Sequence, residues 1–498
     1  MPASLKISLG VNFAGRFWAG MVSFIATPLF LKWLGVEAYG LVGFYLLLQA
    51  VTGFFGAGLT SAANREIAAQ APQGGENLTG KLVGFGRMAW SLGLLLGLTV
   101  ALGSDWITTH WLTLDRVSAA TAAKAILLMA PVLALQVPLD FYVGALLGLR
   151  RHTYANLTLA GNASLRAGAG VLGLVFWSPT IETFFWSQLA ASLAMILTCE
   201  LWLRPVGDWW RGPTPWASLR QSFRFSAGMT AVAFTGMILS QADRVVLSRA
   251  LRLDEFALYS LATTLANLLY YLVGPVQTTY YPEFSRQVAT GQPAQLTALY
   301  HQACQRMAVM VMPAGAVMLF FARDLLTLWT ARPDFAAKAA PVVMFLVGAR
   351  MIGGLNNLPY TLQFAYGYTS LVLKSNLAAI VVFVPVLYWL AIKFGAVGAA
   401  GGYFLLTVPF LGGIVWRTHL RLLPGEAGRW LWRDTAPPLL LALASAGLWK
   451  WLQPAGLATT GHWLWLGLAS AATLGLVVGV NPATRAQVIA AWQRRKLA

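Results

Sequence analysis

Five arginines lie inside long apolar stretches, where a charge is costly. They are Arg16, Arg87, Arg166, Arg244 and Arg350. On insertion scales, a charge at the centre of a bilayer costs about 2.5–3.5 kcal/mol. Such residues therefore normally face a bundle interior or a water-filled cavity. Because the planar guanidinium can bond two oxygens of a phosphate at once, a cavity lined by arginines would suit an anionic substrate.

Polar residues accompany three of these arginines at helical spacing. An asparagine lies one or two turns away in the pairs Asn12–Arg16, Asn162–Arg166 and Arg350–Asn357. Residues at these spacings share one face of a helix. The pattern predicts a cationic substrate cavity with contributions from both halves of the chain. Its predicted lining is Arg16, Asn12, Arg166, Asn162, Arg350, Asn357, Arg244 and Arg87.

Other roles are open for some of these charges. Arg87 lies about one turn inside its apolar stretch and could extend to the membrane surface. Arg244 could pair with the adjacent Asp243, or lie near the outer end of its helix. Asp140 and Asp243 are the acidic residues deepest in apolar stretches, which makes them candidates for a proton or Na⁺ site. The alternative is that each bridges a nearby arginine.

Motifs typical of enzymes and of cofactor sites are absent. The sequence has no Gly-x-Ser-x-Gly, no HExxH and no Asp-x-Asp motif. "GENLTGKL" at 75–82 nearly matches a phosphate-binding P-loop but has Leu82 where Ser or Thr should bind Mg²⁺. We therefore predict no catalytic residues, no metal and no cofactor. The two cysteines, Cys199 and Cys304, are interpreted as small core residues.

Apolar stretches of spanning length dominate the 498 residues. Hydrophobic residues make up 58% and charged residues 10%, whereas soluble domains carry about 25% charged residues. A spanning helix needs about 20 mostly apolar residues. Fourteen stretches qualify: 9–33, 38–63, 83–107, 124–148, 153–178, 182–203, 223–248, 255–281, 303–328, 339–364, 371–393, 396–416, 435–452 and 461–480. The sequence predicts an all-α polytopic membrane protein.

Positive charge predicts the orientation of these spans. With the N-terminus in the cytoplasm, about twice as many Lys and Arg residues fall on the cytoplasmic side as on the other side, as the positive-inside rule requires. Both termini are then cytoplasmic. The net charge of +18 is explained by this bias and by attraction to anionic lipid headgroups, so it does not indicate a nucleic-acid partner.

The spans divide into two halves and a tail. We predict an N-terminal six-helix lobe at 1–204, a cytoplasmic interfacial linker at 205–222, a C-terminal six-helix lobe at 223–418, and a tail at 419–498 with two helices and a basic end. A faint repeat supports this division. "VEAYGL" at 36–41 aligns with "LDEFAL" at 253–258, and the same offset aligns Glu66 with Glu283. Such a repeat favours a two-lobed transporter.

The stretch 31–68 resembles polysaccharide-export flippases of the O-antigen (Wzx) type, in the multidrug/oligosaccharidyl-lipid/polysaccharide exporter superfamily. The shared features include the "LG-x-x-x-YG" turn at 34–40 and the "REIA" segment at 65–68. "QADRVVLSRAL" from Gln241 is similar to a later region of that family, with Asp243 in the matching acidic position.

The resemblance implies two six-helix lobes in a V shape beside a C-terminal helix pair. It implies alternating access in the bacterial inner membrane, possible coupling to H⁺ or Na⁺, and other polysaccharide-assembly membrane proteins as candidate partners. The implied substrate is an undecaprenyl-pyrophosphate-linked oligosaccharide, moved to the periplasmic leaflet. The alternatives are a lipid II flippase, a multidrug exporter, and a membrane glycan polymerase or ligase.

Overall fold

The computed structural model describes residues 3–71, 75–204 and 234–481. Its main helices are α1 Ala3–Leu34, α2 Val36–Gln70, α3 Gly75–Leu102, α4 Ala119–Gly148, α5 His152–Leu172, α6 Ile181–Leu203, α7 234–250, α8 Leu253–Ala266, α9 Tyr270–Ala289, α10 Pro293–Phe320, α11 Ala322–Thr330, α12 Pro333–Ala365, α13 Thr369–Leu422, α14 Ala436–Trp451 and α15 Thr459–Val480. Shorter helical segments are Ser104–Trp106, Ile107–Trp111, Gly173–Trp177, Asn267–Leu269, Ala427–Arg429 and Trp430–Thr435. Within these ranges the chain forms no β-strand beyond one isolated bridge between Thr113 and Arg252.

Eleven helical stretches of the described part are long and apolar enough to cross a membrane. The all-α polytopic fold class is therefore confirmed, while the count of fourteen spans stays a prediction. The predicted spans 371–393 and 396–416 fall in one such stretch because α13 continues across a kink. The 435–452 span is represented by α14, which has only 16 residues, and 223–248 lies partly outside the described residues.

Glycine forms two of the sharp direction changes. Gly35 separates α1 from α2 with φ 81°, and Gly395 interrupts α13 with φ 61°. Residues with a Cβ rarely adopt this left-handed region. Each glycine therefore lets two helices follow one another almost without a loop, and α13 becomes a pair of arms, 369–394 and 396–422.

The chain divides into two compact units, Met1–Ser260 and Leu261–Ala498. In unit 1, α4 packs against α2, α3 and α6, and α5 packs against α1 and α6. Small residues bring these helices close together. A Cβ on Gly144 would lie 2.6 Å from the carbonyl oxygen of Thr60, so α2 and α4 meet backbone to backbone, as small residues allow in membrane helices.

In unit 2, α12 packs against α10 and both arms of the α13 kink lie in the same unit. The C-terminal pair α14 and α15 packs together and also against α10. Cys199 in unit 1 and Cys304 in unit 2 are both free and buried, which confirms the interpretation as core residues. The predicted linker 205–222 lies outside the described residues, and the predicted lobe boundaries at 204 and 418 stay predictions.

Candidate functional site

Arg166 is held by two neutral side chains from other helices. On α5, its Nε donates to Oε1 of Gln188 on α6 over 2.7 Å, and its Nη2 donates to the hydroxyl of Tyr45 on α2. Gln188 in turn donates from Nε2 to the carbonyl oxygen of Arg166 over 3.0 Å. The guanidinium carbon also lies 5.4 Å from the Tyr45 ring centroid, within cation–π range.

This arrangement fixes the guanidinium without cancelling its charge. Tyr45 and Gln188 are buried, with 2% and 3% exposure, while Arg166 is half-buried. The two hydrogen bonds use two of the five N–H donors of the arginine. Asn162 lies one turn earlier on α5, and its Oδ1 has no hydrogen-bond partner among the described residues. A fixed cation with spare donors beside a polar amide can bind an anion.

Arg350 on α12 is held by two tyrosines. Its Nη1 lies 3.0 Å from the hydroxyl of Tyr403 on the second arm of α13 and 3.4 Å from that of Tyr270 on α9. The guanidinium carbon lies 5.4 and 5.2 Å from the two ring centroids. Asn357 lies two turns further along α12, and its Oδ1 has no hydrogen-bond partner among the described residues. The arginine, the aromatic hydroxyls and the nearby asparagine repeat the chemistry of the Arg166 site.

Two other predicted cavity residues, Arg87 and Arg244, also belong to unit 1. Arg87 on α3 and Arg244 on α7 are half-buried and lie outside the hydrogen-bond network of Arg166. The side chains of Asn12 and Arg16 on α1 lie outside the described residues. Asn162 thus lies one turn from Arg166 on α5 and Asn357 two turns from Arg350 on α12, and the cavity as a whole stays a prediction.

The two predicted acidic candidates lie among neutral groups. Asp140 accepts a hydrogen bond of 3.2 Å from Gln136 one turn earlier on α4, and Gln136 accepts one from Gln49 on α2. Asp243 is 1% exposed and accepts a 2.8 Å bond from the Tyr259 hydroxyl. None of the ion pairs in the described ranges includes either aspartate. Bridging to an arginine is therefore not observed there.

A buried acid–imidazole cluster was missed by the sequence reasoning. On α10, Nδ1 of His301 faces Oδ2 of Asp434, and Nε2 lies 2.9 Å from Oε2 of Glu426. Gln305 donates to the second oxygen of Asp434 over 2.7 Å, and Arg429 lies 3.7 Å from Glu426. These contacts hold the connection between α13 and α14, residues 423–435, against α10. The residues lie up to 133 positions apart, so no spacing in the sequence indicates it.

The tyrosines and Gln188 were also missed, for the same reason. Tyr45 lies 121 positions from Arg166, and Tyr270 and Tyr403 lie 80 and 53 positions from Arg350. The available signal is a tyrosine or glutamine in the middle of an apolar run, which is too common to single out a site.

Within the described residues, no group of three acidic, His or Cys side chains could hold a metal ion.

Comparisons with known proteins agree with this architecture. A model of a family described as polysaccharide biosynthesis protein matches residues 8–288, more than half of the chain. A search of curated proteins found no match. Among solved structures, the chain is similar to lipid II flippase MurJ in an inward closed conformation, with TM-score 0.74 and 11% identity over 94% of this chain and 98% of that one.

Two further structural matches are transporters. One is an inward-facing multidrug resistance MATE family transporter of the MOP superfamily, with TM-score 0.68 and 15% identity over 82% of this chain and 96% of that one. The other is a MOP superfamily transporter from Pyrococcus furiosus, described by the reverse polarity of its binding pocket, with TM-score 0.58 and 13% identity over 85% and 96%.

The helices and these matches define a multi-pass membrane protein with the transporter fold of the MOP superfamily. The chain belongs to the polysaccharide biosynthesis protein family. The family resemblance predicted from 31–68 is thereby confirmed. At identities of 11–15%, the solved structures establish the fold and leave the substrate to other arguments.

Proposed function

We propose that this protein is a flippase for an undecaprenyl-pyrophosphate-linked oligosaccharide, an O-antigen or related polysaccharide repeat unit. It moves the oligosaccharide from the cytoplasmic to the periplasmic leaflet of the bacterial inner membrane. The observation that carries the proposal is Arg166, whose partners Tyr45 and Gln188 are both neutral. A cation retained within the apolar helices needs an anion, and pyrophosphate offers oxygens in the geometry that a guanidinium binds.

The membership of the polysaccharide biosynthesis family supports a glycan-related substrate. The similarity to the lipid II flippase covers 94% of the chain, against 82% for the multidrug transporter. Both matches concern the fold, and a lipid II flippase stays the second candidate. A glycan polymerase or ligase is disfavoured by the transporter fold.

In the proposed mechanism, Arg16, Arg166 and Arg350 neutralise the pyrophosphate while the prenyl tail stays in lipid. Asn12, Asn162 and Asn357 bind the glycan or the headgroup, and Arg87 and Arg244 add positive potential. Alternating access carries the headgroup across. Asp140 and Asp243 are proposed to bind the coupling ion, H⁺ or Na⁺, because each is a carboxylate without an ion-pair partner in the described residues.

The test is complementation of a strain that lacks this gene, with surface polysaccharide and lipid-linked repeat units measured together. Wild type and the variants Arg16→Ala, Arg166→Ala and Arg350→Ala are compared at matched membrane levels. We expect wild type to restore surface glycan and the variants to accumulate lipid-linked units inside. Full complementation by every variant would refute the site. Intact surface glycan in the deletion strain, with raised sensitivity to cationic drugs, would replace the flippase by a multidrug exporter.

A further inference from the structure

The two arms of α13, 369–394 and 396–422, form a hairpin about the kink at Gly395. A basic pocket lies at the end of this hairpin that is remote from the kink. Its volume is about 430 Å³, and it is lined by Tyr368, Ser370, Lys374, Arg417, Leu420 and Arg421. The sequence predicts that this end of the hairpin faces the cytoplasm. None of these residues belongs to the Arg166 or Arg350 clusters, so the pocket is a separate feature of unit 2.

The hairpin geometry brings three cations together. Lys374 lies 21 residues before Gly395 and Arg417 lies 22 residues after it, so the two stand at matching levels on the two arms. Arg421 follows Arg417 by four positions, which places both on one face of the second arm. The Arg421 guanidinium carbon lies 5.4 Å from the ring centroid of Tyr368, which fixes it at the mouth of the pocket.

Among the described residues, none of these three cations has a carboxylate partner. None of the ion pairs in residues 3–71, 75–204 and 234–481 includes Lys374, Arg417 or Arg421. By contrast, Arg286 near the end of α9 pairs with Glu283, and Lys81 on α3 pairs with Glu66. The first turn of α13, which carries Ser370 of the pocket, adds backbone N–H groups, and its N-cap Tyr368 makes no side-chain cap bond. The pocket is therefore strongly anion-attracting.

Exposed apolar side chains lie close to the pocket residues along both arms of the hairpin. Leu420, which lines it, is 60% exposed, and Trp416 and Leu377 are 59% and 48% exposed. Exposed leucine and tryptophan beside basic residues mark the level where headgroups meet hydrocarbon. A ligand seated here would place its anionic part in the pocket and an acyl or prenyl chain against Leu420 and Trp416.

We infer that the pocket binds the phosphate headgroup of a membrane lipid. The chemistry is shared by an anionic phospholipid and by a prenyl phosphate carrier. Three converging cations recognise the phosphate, and the exposed apolar surface selects a lipid over a soluble anion. The inference does not depend on the proposed function, because it concerns a separate site and is read out as binding.

The test uses the full-length protein purified into phosphatidylcholine nanodiscs, with native mass spectrometry of retained lipid. Phosphatidylglycerol, undecaprenyl phosphate and inorganic phosphate are added in separate arms. We expect both phosphate lipids to bind in preference to phosphatidylcholine, and the stronger of the two to identify the natural source. The double variant Arg417→Gln with Arg421→Gln should weaken that binding by roughly tenfold or more.

The matched control is Arg65→Gln with Arg286→Gln, which removes the same charge from arginines that have carboxylate partners. The control should bind phosphate lipids like wild type, and thermal unfolding should show both doubles to be folded. If the control loses as much bound lipid as the pocket variant, the inference is overturned, because general surface charge would then explain the binding. Inorganic phosphate binding as tightly as the lipids would overturn the assignment to a lipid.

Discussion

Two basic side chains within the helices are held in opposite ways. Arg166 in unit 1 bonds to a hydroxyl and an amide, whereas His301 in unit 2 lies between the carboxylates of Asp434 and Glu426. The two ring nitrogens of His301 therefore each face a carboxylate. The groups that bond Arg166 are a neutral hydroxyl and a neutral amide. Under the proposed function, the first kind of contact, at Arg166, binds the substrate anion and the second, at His301, stabilises the fold.

Unit 2 contains a histidine bound by carboxylates and an arginine that contacts two tyrosines. The His301 cluster lies where α10 meets the α13–α14 connection, and Arg350 lies between two tyrosines on α9 and the second arm of α13. A tyrosine hydroxyl accepts from a guanidinium without neutralising it, and its ring attracts the cation. Arginine–tyrosine contacts thus occur in both units, which supports the same role for Arg166 and Arg350.

The largest expected effect is on stability, at Asp434. This residue is fully buried, and Asp434→Asn removes one carboxylate from the imidazole ring. Breaking a buried pair costs roughly 3 kcal/mol of unfolding free energy. Thermal unfolding of the purified protein measures the loss, and transport at matched membrane level should stay near wild type.

The control for Asp434 is the double variant His301→Phe with Asp434→Leu. It replaces the pair by apolar side chains and should recover much of the stability, because no buried charge is left unpaired. If Asp434→Asn leaves unfolding unchanged and abolishes transport, the cluster belongs to the transport site and the comparison with Arg166 fails.

A smaller effect, on transport, is expected from Gln188→Glu. The change places a carboxylate beside Nε of Arg166 and cancels the retained charge while the arginine stays in position. We expect a loss of about 2 kcal/mol in the interaction with the anion, or roughly 30-fold in transport rate. Some stability is also lost, because the carbonyl oxygen of Arg166 no longer receives the Nε2 hydrogen bond of Gln188. Accumulation of lipid-linked repeat units and thermal unfolding are measured together.

Gln188→Met serves as its control, since it removes the amide hydrogen bonds without adding a charge. It should lose less transport than Gln188→Glu. Equal activity of Gln188→Glu and wild type would show that the charge on Arg166 is not used for binding.

The smallest effect is expected from Tyr45→Phe, which deletes the hydroxyl acceptor and keeps the ring over the guanidinium. One hydrogen bond is worth about 1 kcal/mol, so transport should fall roughly fivefold. Tyr403→Phe at Arg350 should cost less, because the Tyr270 hydroxyl remains 3.4 Å from the same nitrogen. The reverse order in the same complementation assay would contradict the expectation that the Tyr270 hydroxyl compensates for the loss of the Tyr403 hydroxyl at Arg350.

The sequence by itself determined the fold class and the apolar runs from which the long helices form. A spanning helix can be predicted from its own residues, because in lipid each helix satisfies its backbone hydrogen bonds internally. The starts of α2 and α8 at 36 and 253 follow the predicted repeat, and the turn at Gly35 falls within the quoted family motif. The five arginines could also be identified from the sequence alone, because burying a charge within an apolar helix costs free energy whichever groups surround it in the fold.

Only the tertiary structure decided which groups surround those charges. Tyr45 and Gln188 reach Arg166 from α2 and α6, and Asp434 reaches His301 from a connection more than a hundred residues away. The five histidines are indistinguishable in the sequence, yet one of them is buried between two carboxylates. Side-chain partners depend on how helices pack, and packing is set by many weak contacts spread over distant segments, which no local spacing records.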